Sequence, residues 1–123
     1  MINIRKANIS DLKTLPDIWF EASVQAHHFI PQIYWEQNKT KMQEEYLPMS
    51  EVYLAEETGN VCGFIALVEN KIAAIFVSPK HQRKGIGKRL ISFAKKIKTQ
   101  LELNVYQDNK NSVKFYKLND FKI

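Results

Sequence analysis

The sequence predicts an α+β (α/β) fold, with a mixed and mostly antiparallel central sheet flanked by helices and one parallel pair of strands around a glycine-led helix. Three observations carry this. Apolar runs at 52–57, 61–68 and 71–78 are separated only by Thr58-Gly59-Asn60 and Glu69-Asn70, the spacing of a three-stranded antiparallel meander. Ile86, Leu90, Ala94 and Ile97 then recur at helical spacing, with Lys88, Lys95, Lys96 and Lys98 on the other faces. A further apolar run at 101–106 makes the order strand, helix, strand, which favours a right-handed crossover and parallel pairing with 72–77.

The other elements follow in order. Ile2 and Ile4 alternate with Asn3 and Arg5, as in a first strand, and Ser10 or Asp11 offers a helix cap. Leu12, Leu15, Trp19, Ala22 and Ala26 form one apolar helix face, in which Pro16 marks either a kink or the true first turn. A second, polar helix is expected from Ile33 to Tyr46, as part of a substrate-facing region. At the end, Asp108 or Asn109 caps a short helix over 110–118. At 123 residues the chain is expected to be one domain, 1–123, with a single core.

The chemistry gathers at 75–90. Pro79 closes the preceding strand, since it has no N–H to continue a ladder. Gly85 and Gly87 then stand where a helix begins, and a helix start carries unpaired N–H groups and partial positive charge that attract anions. Without Cβ atoms at 85 and 87 the main chain can curl around a diphosphate, and Arg83, Lys84, Lys88 and Arg89 add positive potential. A nucleotide P-loop is excluded, because Gln82 occupies its first glycine position and Arg89 its final Ser/Thr position. A dinucleotide fingerprint would need a third glycine where Leu90 stands.

The pattern Ile75-x-Val77-x-Pro79 followed by Gln82-x-x-Gly85-x-Gly87 resembles the coenzyme A signature of the GNAT superfamily of N-acetyltransferases. Asn109-x-x-Ser112-x-x-Phe115-Tyr116-x-x-x-x-Phe121 is similar to the same family's last helix, and the order of elements matches over essentially the whole chain. Ile18-Trp19 with Ala26-His27-x-Phe29 resembles a group of small bacterial acetyltransferases.

The resemblance implies a GNAT-like fold and transfer of an acetyl group from acetyl-CoA, as co-substrate, to a primary amine by direct transfer in a ternary complex. It implies that backbone groups at Phe76 and Val77 pair with the pantetheine arm. Gln82, Arg83, Lys84, Gly85, Ile86, Gly87 and Lys88 would hold the diphosphate, and Asn109 and Tyr116 would also face the cofactor. Tyr116 matches the general-acid position and would protonate the leaving sulfur. His27 is the expected acceptor-binding or general-base residue, since imidazole titrates near neutrality; Glu56 acting through water is a second possibility. His81 is expected to be exposed, and three scattered histidines with one cysteine make no metal site.

Two departures from the family pattern stand out. Asp120 replaces the glycine before the last phenylalanine, and the chain stops at Ile123, where the family's closing strand hairpin would begin. The strand at 101–106 is then expected to be an apolar edge covered in a homodimer.

The net charge of +5 suits an anionic ligand. It would also suit nucleic acid, but no nucleic-acid motif accompanies it, so that class ranks last. A non-catalytic acyl-CoA-binding or regulatory protein is the nearer alternative. No apolar run approaches the length of a membrane span or signal peptide, so a cytoplasmic protein is expected, and Cys62 reads as an inert core thiol. The acceptor stays open among small amines, amino acids, antibiotics and protein N-termini.

Overall fold

The computed structural model describes residues 2–26, 30–82, 84–103, 110–119 and 121, with the Ala26 side chain left out. Its strands are β1 (Ile2–Lys6), β2 (Glu51–Glu57), β3 (Asn60–Val68), β4 (Lys71–Val77) and β5 (Glu102–Leu103). Its helices are α1 (Leu15–Ala26), α2 (Gln32–Lys41), α3 (Ile86–Ile97) and α4 (Lys110–Leu118). One sheet runs in the order β1-β2-β3-β4-β5, antiparallel from β1 to β4 and parallel between β4 and β5. The expected parallel pairing is therefore present, at Lys71↔Glu102 and Ile72↔Leu103. Of the strand expected at 101–106, residues 104–106 lie outside the described residues, and with them most of the edge on which the homodimer expectation rested.

The first helical segment departs from expectation. Asn8, not Ser10 or Asp11, is the cap, and it caps a 3-10 turn, Ile9–Lys13, rather than an α-helix. Asn8 Oδ1 accepts from the Asp11 N–H at 3.1 Å while Asp11 Oδ2 accepts from the Asn8 N–H at 2.8 Å, a reciprocal capping box. Asp11 can do this because Arg5 of β1 grips its other side, with nitrogens 2.9 and 3.2 Å from the two carboxylate oxygens. Pro16 falls in the first turn of α1, where its missing N–H costs no helical bond.

The two faces of the sheet carry separate cores. On one, α1, α2 and the turn after α2 pack Leu15, Ile18, Trp19, Trp35 and Met42 against Val52, Leu54, Phe64 and Ala66. Trp19 and Trp35 meet edge to face, with centroids 5.4 Å apart, and Lys39 of α2 reaches Asp17 of α1 at 2.6 Å. On the other, α3 lays Ile86, Leu90, Ile91 and Ala94 against Ala55, Cys62, Ile65, Leu67 and Ile72. Ile97, expected on that face, is instead 42% exposed, because α3 ends there and Lys98 turns away into extended backbone.

The strand register slips twice, each time at a bulge. The β2–β3 register passes from Ala55↔Gly63 to Glu56↔Val61, leaving Cys62 as the extra residue; the β3–β4 register passes from Ala66↔Ala74 to Leu67↔Ile72, leaving Ala73 extra. The first bulge frees the Cys62 carbonyl to accept from the Ser78 N–H at 2.8 Å, which ties down the end of β4.

Beyond α2 the chain passes through a π turn, Met42–Tyr46, in which the Leu47 N–H donates to the Met42 carbonyl at 3.0 Å. That i to i+5 bond aligns Met42 and Leu47, both buried, on one face. Among the described residues no helix is long and apolar enough to cross a membrane.

Candidate active site

The site is built where β4 stops. Val77 ends the strand, Pro79–His81 form a 3-10 turn, and α3 starts behind Gly85, whose φ of 78° and ψ of 13° are left-handed and favour glycine. No side chain caps this helix start, and a Cβ built on Gly85 would meet nothing within 4 Å. The first N–H groups of α3 therefore have no side-chain partner at the cap. Among the described residues, Lys84, Lys88 and Arg89 stand exposed around them, giving a positive rim to a helix end that is already positive. This arrangement fits a diphosphate.

The other expected residues divide. Gln82 donates from Nε2 to the Val77 carbonyl at 3.2 Å, so it braces the turn between strand and helix. Lys84 leans toward Glu57, 3.9 Å away at the end of β2. Ile86 puts its side chain into the core, 1% exposed, which leaves only its backbone for a ligand. Phe76 turns its half-buried ring toward Phe64, on the α1–α2 face, and Val77 faces the opposite core. His27, Arg83 and Asn109 lie outside the described residues.

Gly87 serves a purpose the motif did not suggest. A Cβ there would come within 3.1 Å of the Phe115 ring, so the missing side chain lets α4 settle against the start of α3. The glycine is thus needed for helix packing, whatever approaches its backbone from outside.

That contact carries Tyr116 with it. Its ring packs edge to face with Phe115 and Phe121, at 5.4 and 5.8 Å, and burial pushes its hydroxyl up to about 12. The Phe121 N–H donates to the Tyr116 carbonyl at 3.0 Å, which closes the end of α4 across position 120, where the glycine of the motif is replaced. Lys95 of α3 donates to the Asn119 carbonyl at 2.5 Å and stands over the Phe121 ring.

Three expectations about acids and bases change or close. Glu56 is engaged by Arg5 at 3.3 Å and by Asn3 at 3.5 Å, both of β1, so its carboxylate is committed to an ion pair across β1 and β2. His81 is half-buried, not exposed, and its Nδ1 is buried with no hydrogen-bond partner among the described residues. Cys62 is fully buried, and that burial raises its thiol above the ordinary value.

Sequence reasoning passed over Gly63. A Cβ on it would stand 2.7 Å from the Phe76 carbonyl oxygen, so β3 and β4 approach more closely there than any side chain permits. The signal was a glycine inside an otherwise apolar strand pattern, which marks a bulge or a close backbone approach.

Comparison with known proteins agrees with this geometry. Residues 48–123 match the family model described as an acetyltransferase (GNAT) domain. The peptidyl-lysine N-acetyltransferase YiaC of Escherichia coli (strain K12) is 35% identical over 98% of this chain and 83% of its own length. The peptidyl-lysine N-acetyltransferase YjaB of Salmonella typhimurium is 29% identical over 100% of this chain and 85% of its own. The crystal structure of PaiA N-acetyltransferase from Thermoplasma acidophilum in complex with coenzyme A superposes with a TM-score of 0.89 at 27% identity, covering 100% of this chain and 91% of that one.

Proposed function

Because the chain belongs to the GNAT family of acetyltransferases, we propose that it transfers the acetyl group of acetyl-CoA directly to the side-chain amine of a lysine in a polypeptide. The observation that carries this reading is the uncapped, glycine-led start of α3 set against the end of β4, with Phe115 of α4 resting on it and Tyr116 the next residue along that helix. The lysine acceptor draws on the names of the two relatives. Residues 1–123 are taken as one domain, placed in the cytoplasm.

Acetyl-CoA, when bound, supplies a thioester carbonyl and leaves as the thiol. The N–H groups of 86–88, with Lys84 and Lys88 beside them and Arg83 from the same turn, hold the diphosphate. Gln82 keeps the turn in place, and the backbone of Phe76 and Val77 lines the pantetheine arm together with Asn109. Amine attack forms a C–N bond and breaks the C–S bond; the amine proton goes to a base, assigned to His27, and the sulfur takes a proton from Tyr116. Tyr116 stays protonated throughout the neutral range, with its hydroxyl pushed up to about 12. A free thiolate of conjugate pKa about 8.5 takes a proton from so weak an acid only uphill, and desolvation of the bound thiol, which raises its pKa, narrows that gap.

The test is thiol release by the purified chain from acetyl-CoA with a lysine peptide blocked at its N-terminus, against a lysine-free peptide and a polyamine, with the product located by mass spectrometry. Acetate on the lysine side chain is the expected result. Tight coenzyme A binding without thiol release above hydrolysis would favour the non-catalytic acyl-CoA-binding alternative.

A further inference from the structure

Gly63 and Gly87 come from different elements, yet both face one side chain. Cγ2 of Val77 lies 3.4 Å from the Cβ position of Gly63 and 3.8 Å from that of Gly87. The two contacts differ in kind. At Gly87 the nearest atom is the tip of the Phe115 ring at 3.1 Å, which can give way. At Gly63 the nearest atoms are backbone, the Phe76 carbonyl oxygen at 2.7 Å and the Val77 Cα at 3.2 Å, which no change of rotamer can relieve. One residue earlier, the bulged Cys62 holds the Ser78 N–H. β3 therefore fixes the last residues of β4 by a hydrogen bond at 62 and by an absent side chain at 63.

We propose that Gly63 is a positioning residue for acetyl transfer, which sets the place of the Phe76–Val77 backbone relative to the start of α3 without itself touching either substrate. The proposal rests on the acetyl-transfer reading above. Any side chain at 63 moves the end of β4 away from β3. The diphosphate contacts on α3 would remain, while the reacting centre beside β4 would shift by a fraction of an ångström. Misplacement on that scale lowers the rate of the chemical step far more than the affinity for the parts of the ligand bound elsewhere.

The experiment compares the parent chain, Gly63→Ala and Ile72→Val by steady-state kinetics with acetyl-CoA and a lysine peptide, and by calorimetric titration with coenzyme A. Ile72 is buried at the far end of β4, and its variant reports what a loss of stability does alone. For Gly63→Ala the expected result is a kcat lowered about tenfold or more with the coenzyme A affinity within about threefold of the parent. Ile72→Val keeps the parent kcat below its unfolding temperature. If Gly63→Ala does not fold, Val77→Ile crowds the same gap from the other side and has to show the same split. A kcat within about twofold of the parent overturns the proposal, and so does a parallel loss of kcat and coenzyme A binding in the folded variant. A parent chain that acetylates no amine overturns it too, but that failure appears before any variant is measured and belongs to the acetyl-transfer reading itself.

Discussion

The ring of Phe115 stops 3.1 Å from the point that a Cβ on Gly87 would occupy, so the last helix rests on the first turn of the glycine-led one. Gly87→Ala should push that ring aside. We expect a stability loss of about 1 kcal/mol, the lower end of overpacking costs because a side chain can yield. Coenzyme A affinity should fall at the same time, since the added methyl and the displaced ring crowd the first turn of α3. Denaturant unfolding and calorimetric titration read the two effects separately.

Tyr116→Phe keeps the ring packing with Phe115 and Phe121 and removes only the hydroxyl. Coenzyme A affinity should be nearly unchanged, while kcat drops by about 10² or more, the usual range for a lost acid. Equal kcat in both proteins would remove Tyr116 from the mechanism.

The same hydroxyl gives a prediction for alkaline pH. Its folded value is raised to about 12, above an unfolded value near 10, so the neutral phenol favours the folded state. That contribution is complete below pH 10 and is lost as the pH rises from 10 to 12, a difference of about 2 to 3 kcal/mol. Unfolding midpoints should therefore fall across this window in the parent and much less in Tyr116→Phe.

Asp11 behaves in the opposite sense. The Arg5 guanidinium, followed by the Asn8 N–H, holds its carboxyl below the ordinary value. A depressed value stabilises the fold above the unfolded pKa of about 4 and is lost as the pH falls through the folded one. Asp11→Asn should lower stability at neutral pH by about 1 to 2 kcal/mol, through the lost cap and ion pair, and should flatten the acid limb of the stability profile.

Thr58 holds a φ of 52° and Gly59 one of 82° in the two-residue turn between β2 and β3. Such a turn favours Asn-Gly, and a β-branched residue is strained at the first position. Thr58→Asn should raise stability by about 0.5 to 1 kcal/mol, seen as a melting point higher by several degrees.

Much of this was legible in the sequence, for physical reasons that also explain the gaps. The meander could be read because Thr58-Gly59 and Glu69-Asn70 punctuate apolar runs, and α3 because its buried residues repeat every three or four positions. The bulges at Cys62 and Ala73 left no trace, since β3 is buried on both faces and so shows no alternation for an extra residue to interrupt. The cap at Asn8 was missed because Asn8, Ser10 and Asp11 are all competent caps, and the choice among them was made by Arg5 from a different element. In the site, Gly85 stands at the helix start expected of it, in left-handed backbone that favours glycine. Gly87 and Ile86 also answer to packing, and Gly63 was passed over although a glycine inside an apolar strand run is itself the mark of a close backbone approach.

The π turn at Met42–Tyr46 is the geometric trace of one surplus residue. Remove one residue from it and an ordinary helix carries the chain onward with Met42 and the leucine at i and i+4, still on one face, whereas the same five-residue spacing wound as an α-helix would turn them about 140° apart. Single-residue gaps between this chain and its kin are therefore to be expected at this place, and an alignment that spreads them elsewhere would assign the wrong partners to the aromatic core beneath.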